Sequence, residues 1–470
     1  MCAPVQRTRP SLSQSETTST RSEARLAWLG RAWEPRAKLR DGVGTTPCTT
    51  WEEGSSDVRI VHGDALSVAS ALLAEGTRAD LVYVDPPYAS QADYTFEARL
   101  DGPADGRTRR SRAYGDRWHG KDGGVGSYLE MMAPRLEAMA ALLRPTATMW
   151  VHLDWRASYL VRVVMEEILG RDAFLNEIVW KRAPNLGRQA QSAQFGRTLD
   201  SILVFGGPKA VINPPTRLER IDDKAVRFDE QKRPFTTAPR GDYTDESIAR
   251  LDAEGRVHRT ASGRVYIKYF LRAEGDAFFR ERRVDTLWTD VAPLRHAAKS
   301  ERTGYPTQKP LSLLERIVRC ATPDGGTVVD LFGGSGTSAE AALRCGRKAI
   351  IGDAGPVAIA TARARLLRGG FEPRLERVGP VVMATAKGAM TVGRNGSGTT
   401  VELTAPKTPL AWAVDVSDGG TFRRAWHTER SLGAGPASIV TTAELPCRPR
   451  KVRVRAFDDD GHVAELEATT

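Results

Sequence analysis

Hydrophobic residues in the first three quarters of the chain form short continuous runs, and longer segments with helical spacing lie between them. Continuous apolar runs are typical of strands that are buried on both faces of a parallel sheet. The alternation of the two patterns therefore predicts an α/β fold with a mostly parallel sheet. The predicted strands are 58–61, 81–84, 146–153, 177–181, 201–205, one that starts at 327, and 348–352; the predicted helices are 65–74, 128–143, 155–169, 311–319, 339–344 and 358–367.

The strand at 81–84 ends abruptly in Asp85, Pro86, Pro87 and Tyr88. The two prolines end the strand because they fix φ and cannot donate to a sheet ladder. The turn is therefore predicted to lie at the carboxyl end of a central strand, where open α/β sheets bind ligands. A carboxylate, a proline carbonyl and an aromatic face suit a planar ring with an exocyclic amine, as in a nucleobase. The alternative is a rigid turn that only closes the strand.

A second strand runs into a glycine-rich turn, Asp330-Leu331-Phe332-Gly333-Gly334-Ser335-Gly336-Thr337, and then into a helix. Glycines let a backbone approach a ligand closely, and the start of a helix supplies unpaired N–H groups. The turn lacks the lysine and the spacing of a phosphate-binding P-loop, so nucleotide triphosphate binding is the poorer interpretation.

Further acidic residues follow predicted strands. Asp64 is a candidate acceptor for the adenine amine of a cofactor, or a cap for the next helix, and the two roles are compatible. Asp353 is a candidate acceptor for ribose hydroxyls, as in Rossmann-like sites. His152 and Asp154 are candidates for substrate contact, although satisfying buried polar groups at a strand end is the favoured interpretation.

The remaining regions carry less regular patterns. Residues 1–55 are rich in Ser, Thr and Arg and are predicted to be a mobile basic tail, with a short helix at 26–33 that packs Trp28 and Trp33 on the body. Residues 89–125 form a polar segment with basic and aromatic residues, which predicts a flap loop over a nucleic-acid strand; a functionless insertion is the alternative. Alternating runs after residue 370 predict a small sandwich-like β module.

Composition narrows the function only modestly. The 470 residues carry a formal charge of +10, which favours polyanionic partners such as nucleic acid. Five scattered cysteines without C-x-x-C spacing predict neither a disulfide framework nor a structural zinc site. No apolar run reaches the length of a bilayer span and no signal-peptide core is present, so a cytoplasmic protein without a membrane partner is expected.

Taken together, the motifs resemble those of the β-group of DNA amino-methyltransferases. The base-binding turn at Asp85 precedes the glycine-rich turn, and residues 127–136, 150–155 and 176–182 are similar to adenine methylases typified by the modification subunits of type III restriction systems. The string from Tyr305 to Pro310 matches a methylase motif beside the cofactor. The similarity covers about 56 to 370. Two departures are Leu331, where the family usually has proline, and the pattern around Asp353.

The resemblance implies a Rossmann-like, doubly wound methyltransferase sheet with a circularly permuted motif order, an inserted target-recognition region and a C-terminal all-β module. The implied divisions are a tail at 1–55, a catalytic half at 56–182, a target-recognition region at 183–304, a cofactor half at 305–370 and a β module at 371–470.

The implied activity is transfer of a methyl group from S-adenosylmethionine to the N6 amine of adenine in double-stranded DNA, after the base is flipped out of the duplex. The implied catalytic residues are Asp85, Pro86, Pro87 and Tyr88, and no metal is required. The implied cofactor-binding residues are Asp64, Thr307, Gln308, Lys309, Pro310, Asp330, Phe332, Gly333, Gly334, Ser335, Gly336, Thr337 and Asp353.

Two other functions stay open at this point. The same chemistry would serve the N4 amine of cytosine, although Asp85 in place of serine favours adenine in the family. From a different class, the chain would be a sequence-specific DNA-binding protein with a silent catalytic fold. A homodimer and a separate restriction subunit are both compatible with the resemblance.

Overall fold

The computed structural model describes residues 27–28, 31–35, 46–99, 108–119, 124–185, 193–379, 387–396, 398–406, 411–417, 419–429, 440–458 and 462–470. The first part of the chain alternates strands with helices. Its elements are β1 (Cys48–Glu52), β2 (Ser55–His62), α1 (Ala65–Ala74), β3 (Ala79–Val84), β4 (Ala92–Arg99), β5 (Thr108–Asp116), α2 (Val125–Ala140), β6 (Leu143–Leu153), α3 (Ser158–Leu169), β7 (Phe174–Lys181) and β8 (Leu199–Gly206).

The middle part, which covers most of the predicted target-recognition region, consists mainly of short strands. These elements are β9 (Thr216–Ile221), β10 (Arg227–Phe228), β11 (Pro234–Pro239), α4 (Asp245–Ala253), β12 (Val257–Arg259), β13 (Val265–Phe270), β14 (Arg272–Glu274), β15 (Ala277–Arg283) and β16 (Leu287–Trp288). Strands β9 to β15 form a four-stranded and a three-stranded antiparallel sheet, whereas β16 pairs with β7.

The third part returns to the strand–helix alternation. Its elements are α5 (Leu311–Ala321), β17 (Thr327–Asp330), α6 (Thr337–Arg344), β18 (Lys348–Asp353), α7 (Pro356–Arg368) and β19 (Pro373–Val378). No helix within the described ranges combines the length and the apolar character needed to cross a membrane.

The last part consists of strands, as the alternating runs predicted. They are β20 (Ala389–Asn395), β21 (Gly398–Ala405), β22 (Ala411–Asp415), β23 (Trp426–Glu429), β24 (Thr442–Leu445), β25 (Lys451–Phe457) and β26 (Val463–Thr469). They form two sheets, β20-β21-β24 and β23-β22-β25-β26, and residues of both sheets, such as Val401 and Trp412, share one apolar core. This is the predicted sandwich-like module.

A ten-stranded sheet forms the centre of the molecule, in the order β1-β19-β2-β18-β17-β3-β6-β8-β7-β16. Successive residues of β3 point to opposite faces of it. Leu81 and Tyr83 share a core with residues of α5, α6 and α7, and Val82 and Val84 share a second core with residues of α1, α2 and α3. Helices therefore cover both faces, which confirms the Rossmann-like, doubly wound α/β fold. The sheet is mixed, because β8 runs antiparallel to β6 and β7.

The prediction of a loop over 89–125 is wrong for the described residues. Strands β4 and β5 pair as an antiparallel hairpin, and α2 already begins at Val125. The rings of Tyr94 and Tyr114 stack with centroids 4.7 Å apart, and Phe96 and Ala113 are buried in the core. The segment is mostly polar, and only these few residues show that the hairpin has an inner face. Residues 100–107 and 120–123 lie outside the described residues.

The predicted boundaries at 55 and 370 are wrong, because both cut through the central sheet. Strand β1 pairs antiparallel with β19, and β19 pairs with β2. Both are short strands at one edge, where the sequence pattern is weakest. The helix predicted at 26–33 is absent from its described residues, 27–28 and 31–33. The packing of its tryptophans is confirmed, since the Trp28 and Trp33 indoles donate to α2 carboxylates. Residues 1–26, 29–30 and 36–45 of the tail fall outside the described residues.

Candidate active site

The two ligand-type turns meet at one edge of the central sheet. Strands β3 and β17 are neighbours and run parallel, with Val328 opposite Leu81, so the turns after them emerge side by side. Both turns line a single cavity. The predicted site residues that line this cavity are Asp64, Asp85, Pro86, Pro87, Tyr88, Thr307, Gln308, Lys309, Asp330, Phe332, Gly333, Gly334, Ser335, Thr337 and Asp353.

Two further predicted residues, Pro310 and Gly336, do not line it. Each lies at the N-cap position of a helix, Pro310 before α5 and Gly336 before α6. Gly336 has a φ of 76°, a left-handed conformation that favours glycine, and an added Cβ would lie 2.9 Å from the Cβ of Ala362. Both residues therefore shape the backbone of the site rather than its surface.

The Asp85 carboxylate is held by two donors. Its Oδ1 accepts from the Tyr88 hydroxyl at 2.5 Å, and its Oδ2 accepts from the Lys309 ammonium at 2.5 Å. The Lys309 Nζ also lies 5.3 Å from the centroid of the Tyr88 ring. Lys309 was predicted as a cofactor residue, but the structure joins it to the predicted catalytic carboxylate.

Asp116, at the end of β5, fixes the turn that follows Pro87. Its buried carboxylate accepts from the backbone N–H groups of Tyr88 at 3.1 Å, Ala89 at 2.9 Å and Ser90 at 2.8 Å, and from the Trp118 indole at 2.9 Å. Ala89 has a φ of 57°, a strained conformation for a residue with a Cβ. Asp116 therefore joins the hairpin to the conformation of the Tyr88 turn.

A buried polar chain lies behind Tyr88. The Tyr83 hydroxyl is 2.9 Å from His152 Nδ1, His152 Nε2 is 3.2 Å from Asp200 Oδ2, and Arg182 donates to Asp200 Oδ1 at 2.7 Å. The imidazole also stacks on the Tyr88 ring, with centroids 6.3 Å apart. His152 is fully buried and does not line the cavity, which agrees with the favoured structural interpretation.

The charges of this hydrogen-bonded network and those of the site affect each other's pKa values. Burial acts to raise the pKa of Asp200, but the hydrogen bond from His152 and the charges of His152, Lys309 and Arg182 hold this pKa below its usual range. Burial and the negative charges of Asp85 and Asp200 raise the pKa of Tyr88 well above its ordinary value. Tyr88 therefore stays protonated and remains a hydrogen-bond donor to Asp85.

The glycine-rich turn is held by two aspartates. Asp330 accepts from the Phe332 N–H at 3.0 Å and the Ser338 hydroxyl at 2.5 Å, and Asp353 accepts from the Gly334 N–H at 2.9 Å. Burial, opposed by these hydrogen bonds and assisted by the charges of Asp85 and Asp353, raises the pKa of Asp330 to about 7. Burial likewise raises the pKa of Asp353. Because burial is the largest cause of both shifts, a cation bound beside these carboxylates would stabilise their charged forms.

Other predicted cofactor residues have partners within the protein. The helix-capping role of Asp64 is confirmed, since its carboxylate accepts from the Leu66 N–H at 2.9 Å, and it also pairs with Arg135. Its contact with a cofactor stays a prediction. The Gln308 amide accepts from Thr303 and donates to the Glu301 carbonyl, so it shapes the segment that leads to Lys309.

Sequence reasoning missed several residues that line the cavity. They are Tyr83, Tyr305 and Asp116, together with Tyr94 and Tyr114, which were assigned only to the flap. The Tyr114 hydroxyl is 3.0 Å from the Thr307 hydroxyl, so the hairpin reaches the segment before Lys309. Tyr305 opens the motif-like string, which was a usable signal. Asp116 offered none, because its partners are backbone groups 26 to 28 positions away.

Comparison with known proteins agrees with this geometry. The model of the family described as DNA methylase, which joins the N6 and N4 enzymes, matches residues 79–363. The type II methyltransferase M.EcaI of Enterobacter cloacae is 25% identical over 315 residues, which are 61% of this chain and 64% of the relative. The StyLTI Mod subunit of a type III restriction-modification enzyme from Salmonella typhimurium is 24% identical over 344 residues, 63% of this chain and 51% of the relative.

The chain thus spans less than two thirds of the length of these relatives. Among solved structures, the M1.HpyAVI–SAM complex is 17% identical with a TM-score of 0.39, covering 66% of this chain and 98% of that one. TTHA0409 of Thermus thermophilus complexed with S-adenosylmethionine is 18% identical with a TM-score of 0.36, covering 69% and 99%. These TM-scores are too low for the solved structures to support a conclusion about this chain. The family match spans both turns and the segment between them, and the chain therefore belongs to the N6/N4 DNA methylase family, whose methyl donor is S-adenosylmethionine.

Proposed function

We propose that the chain is a DNA methyltransferase that acts on the N6 amine of adenine. The observation that carries the proposal is the shared cavity, in which the Asp85–Tyr88 turn faces the glycine-rich turn of Asp330 across two adjacent parallel strands. A base site and a donor site in one cavity are what direct transfer between two substrates requires, since proximity and alignment supply much of the rate.

The base site is proposed to consist of Asp85, Pro86 and Tyr88. A flipped base would stack on the Tyr88 ring, and its amine would donate to the Asp85 carboxylate and the Pro86 carbonyl. Because Tyr88 and Lys309 already hold the two carboxylate oxygens, the orientation of Asp85 is fixed before a base arrives. Asp85 would stabilise the positive charge that develops on the amine and is the acceptor within reach for the proton that the amine loses.

The residues around the glycine-rich turn fit S-adenosylmethionine, which supplies an electrophilic methyl carbon on a sulfonium. An ammonium and a sulfonium suit a cavity lined by Asp85, Asp330 and Asp353, in which burial, assisted by the charges of the other two aspartates, raises the pKa of Asp330. At Gly333 an added Cβ would lie 3.1 Å from the Cβ of Ile351, a tight contact that favours glycine at this position. We assign Asp330 to the cationic amino group and Asp353 to the ribose hydroxyls.

Adenine is favoured over cytosine by Asp85. An aspartate at this position is typical of the adenine enzymes in the resembled group, and serine of the cytosine enzymes. The carboxylate and its two donors are in place, which supports an active rather than a silent site.

Duplex DNA is the proposed substrate. The target-recognition region predicted at 183–304 contains β8 and β16, which belong to the central sheet, so strands β9 to β15 are the part proposed for recognition. Arginine is the residue that most often reads guanine edges in the major groove. Several arginines lie on exposed strand positions here, including Arg217, Arg282 and Arg283. A homodimer and a separate restriction subunit remain proposals, supported by the resemblance to type III modification subunits.

The test is methyl transfer from S-adenosylmethionine labelled with tritium in the methyl group. The purified chain is incubated with genomic DNA from a methylation-deficient host, and the DNA is digested to nucleosides. We expect label in N6-methyl-2′-deoxyadenosine. Label in N4-methylcytosine would overturn the choice of base, and unlabelled DNA would overturn the proposed function.

The Asp85→Asn variant tests the role of the carboxylate. We expect loss of transfer with cofactor binding retained in calorimetry, because the amide cannot accept from Tyr88, Lys309 and the amine together. Asp93→Asn is the matched control, since the Asp93 carboxylate is exposed and, among the described residues, pairs with Arg112 on β5 and with Arg117 just after it. Full transfer by Asp85→Asn would remove Asp85 from the mechanism.

A further inference from the structure

Exposed aromatic rings and arginines lie on the segments that follow β6 and β7 and precede β8, at the end of the sheet that carries Asp85. We define the aromatic–arginine patch as Trp155, Tyr159, Phe195, Arg156, Arg182 and Arg197. Trp155, Tyr159 and Phe195 are 46%, 62% and 100% exposed, and a group of exposed apolar side chains is typical of an interaction surface.

The connectivity of the sheet places the patch at the edge that carries Asp85. Strand β6 lies parallel beside β3, with Val84 opposite Val151, so the residues after Leu153 leave the sheet next to the Asp85 turn. Strand β7 ends and β8 begins at this same edge, with Lys181 opposite Leu199. The patch therefore lies at the ends of β6, β8 and β7, which follow β3 in the order of the sheet. His152, three residues before Trp155, stacks on Tyr88.

The charges of the patch are arranged with acids inside and guanidinium groups outside. Arg156 pairs with Asp154 and Arg182 pairs with Asp200; both carboxylates are buried, while each arginine side chain is 37% exposed. The Arg197 guanidinium lies 3.9 Å from the centroid of the Trp155 ring, and that of Arg156 lies 4.9 Å from it. The outer surface thus presents exposed aromatic side chains and cationic groups, and the Arg197 guanidinium lies over the Trp155 ring.

We infer that the aromatic–arginine patch binds the DNA strand that flanks the flipped base. Base-flipping leaves neighbouring bases unstacked, and aromatic side chains stabilise unstacked bases whatever their sequence. Guanidinium groups match the phosphates on either side. The inference rests on the proposed function, because only a nucleic acid bound at the cavity would run across this edge. A protein bound to the patch would instead obstruct the approach of DNA to Asp85.

The experiment measures binding of the full chain to two short fluorescein-labelled duplexes by anisotropy. One duplex is fully paired, and the other has a central adenine opposite an abasic site, where flipping costs least. Trp155→Ala and Phe195→Ala are expected to weaken binding to the abasic duplex by about 5-fold to 150-fold, the range for loss of one stacked base. Trp155→Phe is expected to retain most of the binding.

The contribution of the arginines to DNA binding is measured separately, through the salt dependence of the affinity. Arg197→Ala is expected to lower the slope of log affinity against log salt by about 0.9, because one phosphate contact is lost. Arg171→Ala is the matched control: Arg171 is also exposed, but it precedes β7 at the opposite end of that strand from Lys181. This control is expected to keep the slope and affinity of the unmodified chain, and S-adenosylmethionine binding by calorimetry checks that each variant is folded.

The outcomes separate this inference from the proposed function. If the unmodified chain methylates DNA and the patch variants bind both duplexes as it does, the inference is wrong and the proposed function stands. If the unmodified chain neither binds nor methylates DNA, the proposed function fails first. A loss confined to the abasic duplex in the aromatic variants, with a reduced salt slope in Arg197→Ala, supports the inference.

Discussion

The carboxylate of Asp116 is a sensitive position, because it accepts hydrogen bonds from three successive backbone N–H groups of the Tyr88 turn. Each of its oxygens accepts two hydrogen bonds: Oδ1 from Ala89 and the Trp118 indole, and Oδ2 from Tyr88 and Ser90. In Asp116→Asn one oxygen becomes an amino group. Whichever way the amide is oriented, two of the four donors then face another donor and lose their acceptor.

The size of the effect follows from these contacts. A hydrogen bond to a charged group contributes about 1.5–3 kcal/mol, so losing two of them costs about 3–6 kcal/mol for local opening of the turn. The left-handed conformation of Ala89, at a φ of 57°, costs roughly 1 kcal/mol in both proteins and therefore does not change the difference between them. Even the lower figure of about 3 kcal/mol corresponds to roughly 100-fold faster exchange of the turn amides.

Hydrogen exchange followed by mass spectrometry measures this opening directly, on peptides that contain residues 88–90. Asp93→Asn is the control on the same hairpin, because its exposed ion pairs with Arg112 and Arg117 contribute about 0–1 kcal/mol. We expect large loss of protection in Asp116→Asn and almost none in Asp93→Asn. Equal protection of the turn in the two variants would refute the view that Asp116 fixes the Tyr88 turn.

Three further predictions concern the donor half and the ion pair. Burial raises the pKa of Asp330 from 3.8 to about 7, so the folded chain keeps a proton that the unfolded chain loses, and stability from this group is lost as pH rises from about 4 to 7. The melting temperature without cofactor should therefore fall more steeply over this interval than in Asp330→Asn, and parallel curves would contradict this. Gly336→Ala should lower the melting temperature more than Gly346→Ala. Both glycines have a positive φ, but only at Gly336 would an added Cβ meet a neighbouring helix, α7. Equal melting temperatures would exclude this steric contact as the cause. Lys309→Met removes one of the two donors to Asp85 and should slow single-turnover transfer about 10-fold to 100-fold, with partial recovery in Lys309→Arg; an unchanged rate would make the ion pair dispensable.

The sequence alone determined the α/β class, the β module, the two turns and their order. Strands buried on both faces carry continuous apolar runs, and prolines or glycines at a turn restrict or free φ locally, so both signals are contained within a few neighbouring residues. The helix at Ala65–Ala74 was predicted with its observed bounds for the same reason. Asp85 and Asp330 were expected to meet at one edge of the sheet, because each belongs to a ligand-type turn at the end of a strand.

Only the tertiary structure decided which partners those residues have. The ion pair of Lys309 with Asp85 joins positions 224 residues apart, and that of Arg363 with Glu52 joins positions 311 apart. The hairpin of β4 and β5 likewise could not be predicted from its polar composition. Its few apolar residues form an inner face only by packing against a core that other segments of the chain supply. Contacts of this kind depend on how the strands order themselves in the sheet, and no local pattern of side chains encodes that order.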